Sequence, residues 1–175
     1  MQKVKISLQA SMQELLKVLE NKGFSTRILN SDKEVKDYIN TRIPDQITVG
    51  LGDSITSCKL NIRHILAAKG STIFYSWDGS ENYNRSLDTF EILPSPDYYI
   101  TRITAITTNG ELLMKDYDKN AASQGNFPHH VMAFAGLNRL TEEFEKTESL
   151  IKYPVITSCP ENIEFTIILL PFLNY

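Results

Sequence analysis

Cysteine is scarce in this 175-residue chain, and the two present, Cys58 and Cys159, stand far apart with no Cys-x-x-Cys spacing. They supply neither a disulfide framework nor a thiol cluster for zinc or iron–sulfur, and read most simply as free, buried thiols. Histidine is nearly as rare. His129 and His130 are neighbours, which on a strand face opposite ways, and His64 is distant in the chain. No metal site is therefore expected. Long apolar runs are also missing: nothing approaches the roughly 18 consecutive apolar residues of a membrane span, and the opening MQKVKISLQA has no signal-type apolar segment. A cytoplasmic chain with no membrane role is expected. The formal charge is −3 and the basic residues are scattered, so no track for a phosphate backbone exists and nucleic acid is not an expected partner. No Gly-x-Gly-x-x-Gly dinucleotide fingerprint occurs, and no cofactor is evident in the chain itself.

What is present is ordinary globular material. With 42% apolar and 22% charged residues, the chain fits one domain with a substantial core. Leu8, Met12, Leu15, Leu16 and Leu19 recur at helical spacing before Gly23, and FSTRIL over 24–29 alternates as a strand. Ser31 with Glu34 three residues later is a capping-box pattern, and it opens a helix whose apolar face is Val35, Tyr38 and Ile39. Further strands are expected near 47–52, 71–77, 98–102, 130–135 and 164–172. Helices are expected over 55–66, in a short piece at 83–91, and from Thr141 to Lys152. The near-continuous apolar tail IEFTIILLPF suits a central strand covered on both faces. Alternating strands and helices indicate an α/β three-layer sandwich with a mainly parallel central sheet and a β-hairpin excursion at 105–115.

Three loops carry the residues with chemistry. The first, ITVGLG followed by Asp53, Ser54 and Thr56, is a strand running through Gly50 and Gly52 into a helix. Free amides and a helix dipole can hold an anion there, or Asp53 or Ser54 can simply cap the helix. The second is the Thr104–Ile106–Thr107 corner before Asn109-Gly110, a pair that suits a two-residue type I′ hairpin turn. The third is Gly136-Leu137-Asn138-Arg139 after the strand HVMAFA. In α/β sheets ligands bind beyond the carboxyl ends of strands, so these loops are expected to converge.

Residue order in these loops resembles the LUD (lactate-utilisation) domain family. That family's pattern runs Asp, apolar strand, Asn-Ala-Ile-Thr, Gly, apolar strand, Asp and Gly-Asn-Arg, and the matching residues are Asp97, Ala105, Ile106, Thr107, Gly110, Leu112, Asp116 and Asn120. Thr104, Met114, Lys119 and Ala121 depart from it. Gly50-Leu51-Gly52-Asp53-Ser54-Ile55-Thr56 is similar to the family's Gly-x-Gly-x-Ser-x-Thr and to the phosphate loop of ribose-phosphate isomerases. Those enzymes share a broad superfamily with glucosamine-phosphate deaminases and CoA transferases. Gly136 and Asn138 match a Gly-x-Asn-Lys motif in which Arg139 replaces the Lys, keeping the charge but changing point donor to fork.

The resemblance covers residues 45–175 of a single domain, with 1–44 as a lead-in of helices and a strand, and implies a CoA transferase/ribose-phosphate isomerase-like fold. It implies an accessory or ligand-binding subunit linked to the oxidation of lactate to pyruvate beside iron–sulfur oxidoreductase subunits, with an anionic small molecule as ligand. The ligand-binding residues on this reading are Gly50, Gly52, Asp53, Ser54, Thr56, Thr104, Thr107, Asn109, Gly110, Asn120, Gly136, Asn138 and Arg139. A homo-oligomer is compatible with it. A second class is a stand-alone isomerase or CoA-transferase-like enzyme, in which Glu111 and Asp116 supply the general base or nucleophile. A third is a small-ligand sensor of the same fold.

Overall fold

The β-branched and aromatic runs form strands in the computed structural model, which describes residues 2–52, 59–75, 95–114, 128–144 and 155–173. In chain order the elements are α1 (Gln2–Asn21), β1 (Ser25–Ile28), α2 (Asp32–Arg42), β2 (Thr48–Leu51), α3 (Ile62–Ala68), β3 (Thr72–Tyr75) and β4 (Tyr98–Arg102). There follow β5 (Ala105–Thr107), β6 (Leu112–Leu113), β7 (His130–Gly136), a 3-10 turn (Leu137–Arg139), β8 (Leu140–Thr141), β9 (Val155–Ile156) and β10 (Glu164–Leu170). Six of these strands make one sheet in the order β1-β10-β7-β4-β2-β3, with every neighbouring pair parallel. The six are those expected from the sequence. From β2 the chain winds outward to β3, whereas β4, β7 and β10 step away in the other direction. The winding therefore reverses between β2 and β4, the place where open parallel sheets leave a crevice at their carboxyl ends.

Burial on both faces explains the apolar tail. Along β10, Phe165, Ile167 and Leu169 enter one core cluster, while Ile168 and Leu170 enter the other. The first cluster adds Met12, Leu15 and Leu19 of α1 and Ile106, Leu112 and Ile156 of the short strands. The second adds Val35 and Ile39 of α2 and Ile62 and Leu66 of α3. The architecture is thus three-layered: α1 and a small sheet, the parallel sheet, then α2 and α3. The capping pattern at Ser31 is realised, with its Oγ accepting from the Glu34 amide at 3.2 Å. The Glu34 carboxylate reaches back one residue further than a capping box requires, accepting from the Asn30 amide at 2.8 Å.

Two local expectations are corrected. The hairpin at Asn109-Gly110 is not a type I′ turn, because Gly110 has φ 72° while Asn109 is not among the positive-φ residues. The Gly110 amide donates to Thr107 O at 2.9 Å and the Thr107 amide to Glu111 O at 3.0 Å. That is a three-residue loop, a type I-like turn closed by a left-handed glycine. Nor is the hairpin an isolated excursion. It sits in a second, four-stranded sheet of order β8-β5-β6-β9, built from strands of two or three residues. The other correction is at Thr141, expected to open a helix. It pairs with Thr107 at the edge of this second sheet, so tertiary pairing overrides local propensity. The short helix expected at 83–91 and residues 145–152 of the helix expected from Thr141 lie outside the described residues.

The amino ends of β2 and β4 are tied by Asp97. Its Oδ2 accepts from the Thr48 amide at 2.8 Å and the Thr48 hydroxyl at 2.6 Å. The hydroxyl bond and then the amide bond hold the Asp97 carboxyl below its ordinary pKa. A depressed carboxylate contributes stability above its unfolded pKa of about 3.9, and that stability is lost as pH falls through the folded value. Accordingly, the drop in urea midpoint between pH 6 and pH 3 should be smaller in Asp97→Asn than in the parent chain. Equal drops would mean that the clamp is thermodynamically silent.

Candidate functional site

At the carboxyl ends of the central strands lies a concavity of about 250 Å³, open to solvent and lined by Arg102, Ile103, Phe134, Gly136, Asn138, Arg139 and Leu173. Each polar residue is placed by the strand beneath it. Arg102 ends β4, and its register partner in β7 is Phe134, two residues before Gly136. The 3-10 turn then carries Asn138 and Arg139 over the rim. From the other side β10 ends at Leu170, opposite Gly136, and the following turn is closed by the Leu173 amide donating to Leu170 O at 3.1 Å. That turn lies directly over Gly136. A Cβ there would overlap the Leu173 carbonyl and stand 2.8 Å from Asn138 Oδ1.

The electrostatics are one-sided. Two guanidinium groups line the concavity, and its described lining residues include no carboxylate. Burial lowers the pKa of Arg139, and the nearby Arg102 charge lowers it further. Two like charges are thus brought together on a partly buried surface. The amino ends of the same strands provide a contrast. There Tyr98 stacks on His130 with ring centroids 4.5 Å apart, Glu164 lies 3.1 Å from His130 Nδ1, and Arg42 meets Glu164 at 2.8 Å. These residues line a second concavity, in which Arg42 pairs with Glu164.

Of the residues singled out from the sequence, Gly136, Asn138 and Arg139 come together here. Gly52 is placed at the same end, since Leu51 pairs with Ile100 and the Gly52 amide donates to Ile100 O at 2.9 Å. Asp53, Ser54, Thr56, Asp116 and Asn120 lie outside the described residues. Gly50 faces Tyr99, whose ring a Cβ would meet at 2.8 Å, so close packing alone demands glycine there. The Thr104 amide donates to Leu113 O at 2.8 Å at the base of the hairpin.

The hairpin residues are occupied with one another. The Glu111 amide donates to the Thr107 hydroxyl at 3.1 Å, and that hydroxyl is 3.5 Å from Glu111 Oε2. At the tip, the turn of Asn109 and Gly110 rests on α1, where a Cβ on Gly110 would stand 2.9 Å from Val18 and 3.2 Å from Lys22. Because the end of α1 leads into the start of β1, the tip points to the amino-end side of the sheet. Cys159 is half-buried with its thiol pKa raised by burial, and Cys58 is outside the described residues. The sequence reading missed Arg102. Its signal was available: a basic residue closing an otherwise buried strand at the sheet's carboxyl edge.

Fold and site together define a three-layer α/β domain with an arginine-lined concavity at the strand carboxyl ends. A family model described as the LUD domain matches residues 12–166. The chain belongs to the LUD-domain family. Its fold is similar to that of a DUF162 family protein from Deinococcus radiodurans, solved as a crystal structure. The TM-score is 0.57 at 10% identity over 93% of this chain and 98% of that one. A crystal structure of eIF2B delta from Chaetomium thermophilum also aligns, at TM-score 0.42 and 10% identity over 83% of this chain and 57% of that one. Among curated proteins, none matches the sequence.

The overlap at Gly136 yields a test. Gly136→Ala should lower stability by about 1–3 kcal/mol, because the Leu173 backbone must shift to admit one methyl group. Urea unfolding measures this, and an unchanged midpoint would show that the terminal turn is not held against Gly136.

Proposed function

We propose that this LUD-domain protein is an accessory or ligand-binding subunit linked to lactate utilisation, holding a small organic anion at the carboxyl-end concavity. The observation that supports it is the pairing of Arg102 with Arg139 around a recess that also presents Asn138. Guanidinium forks suit carboxylate oxygens, and the amide of Asn138 can donate to the same ligand. The described residues contain no group of three or more His, Cys, Asp or Glu placed to hold a metal ion. On this reading electron transfer in lactate oxidation belongs to iron–sulfur partner subunits, while this chain binds the substrate or product.

The enzyme reading rests on a different place. An isomerase or transferase of this fold needs a carboxylate at the reacting atom, and Glu111, beside the Thr107 hydroxyl, is the described candidate. On that reading Glu111→Gln abolishes turnover of a sugar phosphate or CoA thioester.

Lactate or pyruvate at 100 times its dissociation constant should stabilise the fold by about 2.7 kcal/mol, a rise of about 5–11 °C in Tm for a chain this size. Thermal shifts of the parent and Arg139→Gln check this. The reading requires a shift in the parent that is lost in the variant. A shift of equal size in both would move the ligand elsewhere, and no shift with either acid would remove the lactate link.

A further inference from the structure

We infer that Arg102 is the guanidinium that meets the carboxylate of the bound acid, while Arg139 shapes the rim from within the fold. This rests on the reading of the carboxyl-end concavity as an anion site, and it divides the work between the two arginines there. The described residues include five arginines. Arg27 donates to the Thr26 carbonyl at 2.7 Å, Arg42 pairs with Glu164 at 2.8 Å, and Arg63 and Arg139 are engaged by other groups of the fold. Arg102 differs: among the described residues it makes no hydrogen bond or ion pair, and its charge acts on the like charge of Arg139. Asn138, the other polar residue of the rim, is engaged as well.

Placement makes those uncommitted donors useful. Arg102 is the last residue of β4, is half-buried and lines the recess. Its root is fixed: Arg102 is in register with Phe134, and the amide of the next residue, the fully buried Ile103, donates to Phe134 O at 2.8 Å. Binding at Arg102 therefore orders a side chain and no backbone, which keeps the entropic cost low. A guanidinium carries five N–H donors in a planar fork, and two of them can take both oxygens of one carboxylate. A ligand carboxylate would also offset the repulsion between Arg102 and Arg139, which no carboxylate of the described lining does. Arg139 would have to share or give up a contact it already makes to serve in the same way.

Phenylglyoxal, which condenses with accessible guanidinium groups, tests this on the parent chain, with peptide mass mapping to follow each arginine and lactate, pyruvate or acetate as the protecting acid. Arg102 should be modified about 2- to 12-fold faster than Arg139, the factor expected when one hydrogen bond must first be released. Lactate or pyruvate at ten times its dissociation constant should slow modification of Arg102 about tenfold, the fraction of sites left empty, and leave Arg27 and Arg63 unaffected. Arg102→Gln should keep the unliganded Tm within about 2 °C, because no partner is lost, and should abolish the rise in Tm that the acid produces. Protection of Arg102 by acetate alone supports the contact and removes the lactate link. Faster modification of Arg139, with protection there and none at Arg102, overturns the inference and assigns the contact to Arg139. Unprotected Arg102 in a chain whose Tm the acids still raise also overturns it, while the anion reading stands. With no protection and no rise in Tm for any of the three acids, the anion reading fails together with the inference.

Discussion

The register between β7 and β10 is the constraint on which the rest depends. Seven consecutive pairs run from Glu164 against His130 to Leu170 against Gly136, and both strands are buried on both faces. Parallel pairing of this kind is stable only when each face is covered, which recruits α1 and the small sheet on one side and α2 and α3 on the other. The same register also builds both ends of the molecule. At the amino end it sets Glu164 beside His130; at the carboxyl end it brings the turn after Leu170 over Gly136. A one-residue slip would exchange the two core faces and displace both ends together.

The central sheet was legible in the sequence because parallel strands buried on two faces read as short β-branched runs set between amphipathic helices. Phe165–Leu170 and Val131–Ala135 carry this signal without help from a partner. The second sheet was illegible for the opposite reason. Its strands are two or three residues long, and their partners are distant in sequence: Leu112 pairs with Ile156, and Ile106 with Leu140. No local period can announce such pairings. The turn at Asn109-Gly110 shows the same limit on a smaller scale. Asn-Gly marks a hairpin, but whether one or both residues take positive φ depends on where the flanking strands must pair. Thr141 was read as a helix start from its local chemistry and became a strand because Thr107 needed an edge partner.

The candidate site divides along the same line. Asn138 and Arg139 were visible because they follow a buried strand directly, where side chains emerge at the sheet's end. Arg102 was hidden by its own strand, in which strict alternation made it one more residue on the Tyr98 and Ile100 side. What distinguishes it is position along the strand rather than face. Being last in β4, it reaches past the sheet toward the rim while Tyr98 and Ile100 remain in the layer beneath.

The glycines of the motif-bearing segments separate from its charges when the packing is considered. Gly50 admits the Tyr99 ring, Gly110 admits Val18 of α1 and Lys22 just after it, and Gly136 admits the Leu173 carbonyl. Each would be required in a protein that bound nothing at all. Glycine in these loops therefore reports close approach of the protein to itself, and it carries no information about a ligand. Burial lowers the Arg139 pKa and the Arg102 charge lowers it further, while at the other end of the sheet Arg42 pairs with Glu164. Two guanidinium groups at the carboxyl ends of strands, beside a recess, stand where open parallel sheets place their ligands.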